Sequence, residues 1–393
     1  MAQGGLDRAE PCYFGAGPAK VFTDVLQQAA RDLIAFDEQD IGVGEISHRS
    51  KPAMNIIEET KQNVRTLLNV PDDYEIFFLQ GGGTTGFSSI VYNMMASYAK
   101  KNGGKKGKAA YAVTGSWSKK STEEAKRLGF DVDVVMDTKE YNYSAIPSYS
   151  QWKPIDKDST AYLYICDNET VNGTEMSSAP GPDYLPDGVE LVADMSSNFL
   201  SKEIDVRKYG LIMAGAQKNA GIAGLTVYII KKSLLDQASD SELLANNIPV
   251  VPVAFHYPTV VKNNSAYNTI PIFNCRVLQL VTARLLKLGG LSAIAKINGY
   301  KSSKIYKTLE AYPSIYHIKV ADPAVRSRMN VVFALPNSDL EEKFLSGASA
   351  RKLNGLKGHR SVGGIRVSLY NAVDEESVNI LADYIATFAS SNA

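Results

Sequence analysis

A lysine and an aspartate stand at the ends of two apolar runs. Asp194 closes the run ELVAD, and Lys218 follows LIMAGAQ, 24 residues later, beside the small residues Ala216, Ala220 and Gly221. An acid at a strand end either caps the next turn or partners a buried cation. Taken alone, such a lysine reads as a buried stem with its ammonium in water. A desolvated lysine instead loses its proton more easily and becomes an amine nucleophile. A third feature is GGGTTG at Gly81–Gly86, after IFFLQ and before a helical pattern. The spelling matches G-x-G-x-x-G, but a dinucleotide loop needs an acid about 20 residues on, for the ribose hydroxyls. Residues 87–122 hold no Asp or Glu, which counts against an NAD(P)-dependent dehydrogenase. The loop remains either a tight strand-to-helix turn or an anion site of backbone N–H groups, helix N-terminus and the Thr84 and Thr85 hydroxyls. A buried acid and lysine on successive strands, with an N-terminal anion site, point to pyridoxal 5'-phosphate. The acid would hold the pyridinium nitrogen, the lysine would form the Schiff base, and the loop would hold the phosphate. Trp117, in TGSWS at another strand end, is either core or a stacking surface for a flat cofactor.

Histidine precedes arginine twice, at His48-Arg49 and His359-Arg360, and Arg366 follows the second pair. Each pair alone reads as surface. Together they form a reader for a multiply charged anion, because guanidinium forks match carboxylate and phosphate.

The elements that must position these groups follow the rhythm of an α/β protein. Seven short apolar runs recur, Ile76–Leu79, Ala110–Val113, Val132–Met136, Ala161–Cys166, Leu191–Met195, Leu211–Gly215 and Leu225–Ile230, and most of them run without alternation, as strands buried on both faces do. Helical patterns at Ala53–Leu68, Gly86–Lys100 and Lys119–Leu128 separate several of them. The fold class is therefore α/β, with a large, mostly parallel sheet flanked by helices. After about residue 285 two helical stretches, Phe273–Leu288 and Leu291–Tyr312, lead to strands Tyr316–Val320, Val331–Leu335 and Ile365–Leu369 and a closing helix, Asp374–Ser390. That pattern predicts a smaller α+β domain joined through a long helix. The division is 20–285 for the large domain, and 1–19 plus 286–393 for the small one.

Composition narrows the function classes. The 393 residues are 45% hydrophobic and 21% charged, and 42 basic side chains balance 42 acidic ones. No global field draws the chain to nucleic acid or an anionic membrane. The run KKNGGKKGK at 100–108 lacks interleaved aromatics and reads as a solvated loop. Cys12, Cys166 and Cys275 are few and far apart, with no zinc-type spacing, so no metal site is expected and a reducing compartment is. No apolar span and no targeting segment stand out, so a cytoplasmic protein is expected.

The stretches FGAGPA (14–19), EISHRSK (45–51), CDNETVNGTE (166–175), VADMSSNFLS (192–201), AGAQKNAGIAG (214–224), YNTIP (267–271) and GHRSVGGIRVSLYNA (358–372) resemble the phosphoserine aminotransferases. These are fold-type I pyridoxal phosphate enzymes of serine biosynthesis, and the resemblance runs from about residue 12 to the C-terminus. It implies a transaminase interconverting phosphoserine plus 2-oxoglutarate and 3-phosphohydroxypyruvate plus glutamate. It makes Lys218 the Schiff-base lysine, Asp194 the partner of the pyridine nitrogen, Trp117 the stacking ring and Thr170 the neighbour of the ring hydroxyl. The phosphate would be held by Gly82, Gly83, Thr84 and Gln217, with Asn268 and Thr269 from the neighbouring subunit. Arg366 would grip the α-carboxylate. His359 and Arg360, with His48 and Arg49 of the partner subunit, would meet the distal anion. Such sharing implies a homodimer. At Thr84 the sequence departs from many bacterial members, which carry Arg, so the cradle rests on backbone donors and hydroxyls. A catalytically silent relative would keep no reason for Asp194, Lys218 and Arg366 together.

Overall fold

The computed structural model describes residues 7–36 and 40–392. The first residues assigned above to the small domain, 1–6, lie outside that range. In chain order the strands are β1 (Tyr74–Gly81), β2 (Lys108–Val113), β3 (Asp131–Asp137), β4 (Thr160–Cys166), β5 (Asn168–Glu169), β6 (Thr174–Glu175), β7 (Glu190–Asp194), β8 (Leu211–Gly215), β9 (Gly224–Lys231), β10 (His317–Ile318), β11 (Asn330–Ala334) and β12 (Ile365–Ser368). The helices are α1 (Thr23–Ile34), α2 (Lys51–Leu68), α3 (Gly83–Lys101), α4 (Ser116–Arg127), α5 (Asp240–Ala245), α6 (Tyr257–Lys262), α7 (Ile272–Lys287), α8 (Gly290–Glu310), α9 (Ser338–Ala350) and α10 (Glu375–Ser390).

The seven apolar runs form one sheet in the order β1-β9-β8-β7-β4-β2-β3. Only β9 runs against its neighbours, β1 and β8. Alternate side chains of β1 separate cleanly: Tyr74, Ile76 and Phe78 pack with α1, α2 and α7, while Phe77 and Leu79 pack with α3 and α6. Both faces are therefore covered, which is why the inner runs do not alternate in hydropathy; the edge strand β3, DVDVVMD, is partly exposed and does. This three-layer arrangement is the fold-type I architecture.

The second sheet, β10-β11-β12, is antiparallel and shares a separate core with α8, α9 and α10. Phe14 belongs to that core, and Ser368 N donates to Phe14 O, so the N-terminal segment runs with the C-terminal part. The chain crosses between the parts through two helices rather than one: α7 and α8 are bent by 86°. The break falls at Gly289 and Gly290, with φ of +97° and +71°, which glycine adopts without a Cβ penalty. Among the described residues, no single helix is long and apolar enough to cross a membrane.

Candidate active site

The carboxyl ends of β1, β4, β7 and β8 converge, and a cavity of about 280 Å³ opens there. In parallel α/β sheets this edge collects the strand-to-helix loops, and ligands bind at it. At one side β1 ends in Gly81, whose φ is +125° and where a Cβ would lie 2.5 Å from Thr85 Oγ1. Only glycine makes this turn into α3. No side chain caps α3, and the first bond of its ladder is Gly86 N to Gly82 O. Gly82, Gly83 and Thr84 therefore bring unspent N–H groups and the positive helix end to the cavity wall.

On the other side stands Lys218, 9% exposed, with Nζ 2.7 Å from Thr170 Oγ1. Burial, the largest influence, lowers its pKa, and the charge of Asp194 works the other way. Asp194 is 4% exposed at the end of β7. Its Oδ1 accepts from Ser196 N (2.8 Å) and Ser196 Oγ (2.6 Å), and Gly215 N in turn donates to Ser196 Oγ (2.9 Å). Burial raises its pKa against those two bonds and the nearby Lys218. The side chain is thus a fixed acceptor aimed by the β7–β8 pairing, where Asp194 faces Met213.

The third wall is the indole of Trp117, whose ring centroid is 5.9 Å from Lys218 Nζ. Trp117 sits in the first turn of α4, and that turn is clamped by Glu169, which is fully buried. Glu169 accepts from Trp117 N (2.9 Å), Ser118 N (2.9 Å) and Ser118 Oγ (2.6 Å). Asn172 Oδ1 accepts from Ser116 N at 3.0 Å, completing the clamp.

Arg366, on β12, reaches the same place from the second sheet: its Nη1 donates to Thr170 O at 3.3 Å. Burial lowers its pKa. Buried amides tie β5 to the second sheet here. Asn168 Nδ2 donates to Asn330 Oδ1 (2.8 Å), and Asn330 Nδ2 donates to Ser368 Oγ (3.0 Å).

Of the residues singled out from sequence, Gly82, Gly83, Thr84, Trp117, Thr170, Asp194, Gln217 and Lys218 line this one cavity. His359 and Arg360 line a neighbouring, larger cavity that shares Trp117. His48, Arg49, Asn268 and Thr269 do not line the cavity of their own chain. Arg49, Asn268 and Thr269 are exposed, and Arg49 reaches the Tyr267–Thr269 segment near the end of β1. There Arg49 Nη2 makes a long 3.5 Å contact to Tyr267 O, and Asn268 Nδ2 donates to Gln80 Oε1 at 3.0 Å. Gln80 Nε2 also donates to Thr269 O.

The family described as aminotransferase class V matches residues 12–381. The phosphoserine aminotransferase of Saccharomyces cerevisiae is 52% identical over 99% of this chain and 100% of its own length. This chain belongs to the phosphoserine aminotransferases. The solved phosphoserine aminotransferase from Bacillus circulans subsp. alkalophilus is 33% identical and superposes with a TM-score of 0.88, covering 98% of this chain and 99% of the other. The pyridoxal phosphate-bound phosphoserine aminotransferase from Trichomonas vaginalis is 36% identical with a TM-score of 0.85, covering 96% and 99%.

As a phosphoserine aminotransferase the chain uses pyridoxal 5'-phosphate, and the residues present fit that group. An uncapped helix end suits its phosphate and a fixed buried carboxylate suits its ring nitrogen. A buried lysine suits its aldehyde, and an indole with no hydrogen bond at Nε1 offers its face. Sequence reasoning missed Ser196 and Glu169 as supports of this phosphoserine aminotransferase site. Both lie inside the stretches that carry the resemblance, but their roles depend on Gly215 and on the start of α4, which no spacing rule connects to them.

Proposed function

We infer that the chain transfers the amino group of O-phospho-L-serine to 2-oxoglutarate, reversibly, giving 3-phosphohydroxypyruvate and L-glutamate for serine biosynthesis. The observation that carries this is the convergence of Lys218, Asp194, the α3 N-terminus and the Arg366 guanidinium on one site. Bound there, the cofactor supplies a sink for the electron pair released at the substrate Cα. Burial favours the neutral form of Lys218, which moves the proton at Cα as general base and then returns it. Asp194 accepts the hydrogen bond of the pyridine N–H and keeps that nitrogen protonated. The Gly82–Thr84 turn and Gln217 hold the cofactor phosphate, with Asn268 and Thr269 of the partner subunit. Thr170 orients the ring hydroxyl, and Trp117 covers one face of the ring.

Arg366 pairs with the α-carboxylate, which both amino-acid substrates share. The distal anion, phosphate in one substrate and carboxylate in the other, meets His359 and Arg360, and His48 and Arg49 of the partner subunit. The exposed cluster of Arg49 with Tyr267–Thr269 supports donation to a second copy. The working form is therefore a homodimer with two shared sites. The chain divides into a large domain, 20–285, and a small one, 1–19 plus 286–393, and it acts in the cytoplasm.

Charge-assisted hydrogen bonds are worth about 1.5–3 kcal/mol. Arg360→Ala should therefore lower kcat/KM for phosphoserine by roughly tenfold to a hundredfold, and for glutamate by less, because phosphate carries more charge. Arg366→Ala should hurt both substrates about equally. The test is the ratio of the two kcat/KM values in each variant. No turnover of phosphoserine by the wild type would contradict the substrate assignment. A ratio shifted by Arg366→Ala and not by Arg360→Ala would reverse the two roles.

A further inference from the structure

Outside the catalytic cavity lies a second one, about 850 Å³, and the Trp117 indole is common to both. Its walls come from parts of the chain far apart in sequence. The α4 helix contributes Lys119 and Lys120, the segment after β3 contributes Lys139, and the β10 edge contributes His317 and Lys319. His359 and Arg360 close the side nearest Arg366. The carboxylate of Glu123 also faces it, but lies 3.8 Å from Lys119 Nζ and neutralises that charge. Lys120, Lys139, Lys319 and Arg360 have no carboxylate partner within ion-pair distance among the described residues. Lys120 Nζ instead lies 4.4 Å from the Trp117 ring centroid, at the boundary between the two cavities.

The chain as a whole carries 42 positive and 42 negative side chains. Four uncompensated cations around one mouth are therefore a local feature and not a reflection of overall charge. Their field reaches into the site: after burial, the charges of Arg366, Lys120 and Arg360 are what push the His359 pKa down. A concave surface with an excess of one sign, here positive despite Glu123 in the wall and Asp137 and Glu169 near Tyr143, concentrates counter-ions and raises association rates.

We propose that this vestibule is an encounter site for a phosphomonoester amino or keto acid, which it gathers at Lys120, Lys139 and Lys319 before delivery past Trp117 to Arg366 and Lys218. This rests on the phosphoserine reading above and adds a binding step to it. The phosphate of phosphoserine carries about −1.5 to −2 at neutral pH, whereas the glutamate side chain carries a single charge, so the vestibule favours the phosphorylated substrate kinetically. Lys139 and Lys319 touch neither cofactor nor reacting atoms. Their contribution is long-range and therefore screened by salt, with a Debye length of about 10 Å at 0.1 M.

The experiment uses the cofactor-loaded enzyme and follows kcat/KM for phosphoserine and for glutamate from about 0.02 M to about 0.5 M salt. Wild-type kcat/KM for phosphoserine should fall with salt more steeply than that for glutamate. Lys139→Gln/Lys319→Gln should lose roughly threefold to tenfold for phosphoserine at low salt. It should converge on the wild type at high salt. Lys232→Gln is the control: Lys232 follows Lys231, which pairs with Tyr74 at the opposite edge of the sheet, so its removal should leave both values unchanged. A double variant that matches the wild type for phosphoserine at low salt overturns the vestibule. So does an equal salt slope for both substrates. A wild type that turns over glutamate but not phosphoserine overturns the substrate reading, and the vestibule with it.

Discussion

Burial sets the chemical character of Lys218 and Asp194 in opposite senses. It lowers the lysine pKa and raises the aspartate pKa, while the attraction between them resists both shifts. Burial thus favours the amine that must take the Cα proton, while the attraction of Lys218 and the two Ser196 bonds favour the carboxylate that must accept from a ring nitrogen. Lys218 and Asp194 were legible in the sequence because a charge at the end of a doubly buried strand is costly and demands a partner. Ser196 was not. A serine two residues after a strand-end acid looks like any turn residue. It becomes the clamp of Asp194 only because the β7–β8 register brings Gly215 N to within 2.9 Å of its hydroxyl.

In the proposed site the ring position is set by the first turn of α4, which carries Trp117. Its N–H groups at Trp117 and Ser118 are satisfied by the buried carboxylate of Glu169. A carboxylate there also complements the helix dipole. Glu169→Gln keeps the shape but removes the charge and turns an amide N–H toward donors. The variant should lose about 2 kcal/mol of unfolding free energy, the scale of a charge-assisted bond at a helix end. The same change should free the indole, so the visible circular dichroism of the bound cofactor should weaken even where the protein remains folded. Unchanged dichroism at reduced stability would leave Glu169 a helix cap with no hold on the ring. Most of the sheet strands were legible because burial on both faces makes them uniformly apolar, the exception being the partly exposed edge strand β3. The helices α1 and α9 were not read: each buries few apolar side chains fully, Val25 and Ala29 in one and Phe344 and Ala348 in the other, and the rest of its apolar face, Leu26 in α1 and Leu340 and Leu345 in α9, is only half covered.

At the scale of the whole molecule, the site described from one chain lacks four of the residues assigned to it. His48, Arg49, Asn268 and Thr269 sit away from the Lys218 cavity. Distance along a sequence cannot tell a residue of the same site from one that serves a second copy, so this separation was open to the family resemblance alone. If the sites are shared, Lys218→Ala and Arg49→Ala homodimers should each be severely impaired. Subunit exchange between them should then restore activity, because the mixed dimer contains one site with neither change. Activity in exchanged mixtures, compared with unmixed controls, checks this. No recovery despite demonstrated exchange would place Arg49 in its own subunit's site.

Under the proposed function Lys218 holds the cofactor covalently and carries the reaction. Borohydride reduction of the pyridoxal phosphate-loaded protein, followed by peptide mass spectrometry, tests it most directly. The reduced cofactor should appear on the single peptide containing Lys218, with no retained adduct in Lys218→Ala. An adduct on another lysine, or a Lys218→Ala protein that still traps the cofactor and transaminates within tenfold of wild type, would contradict it.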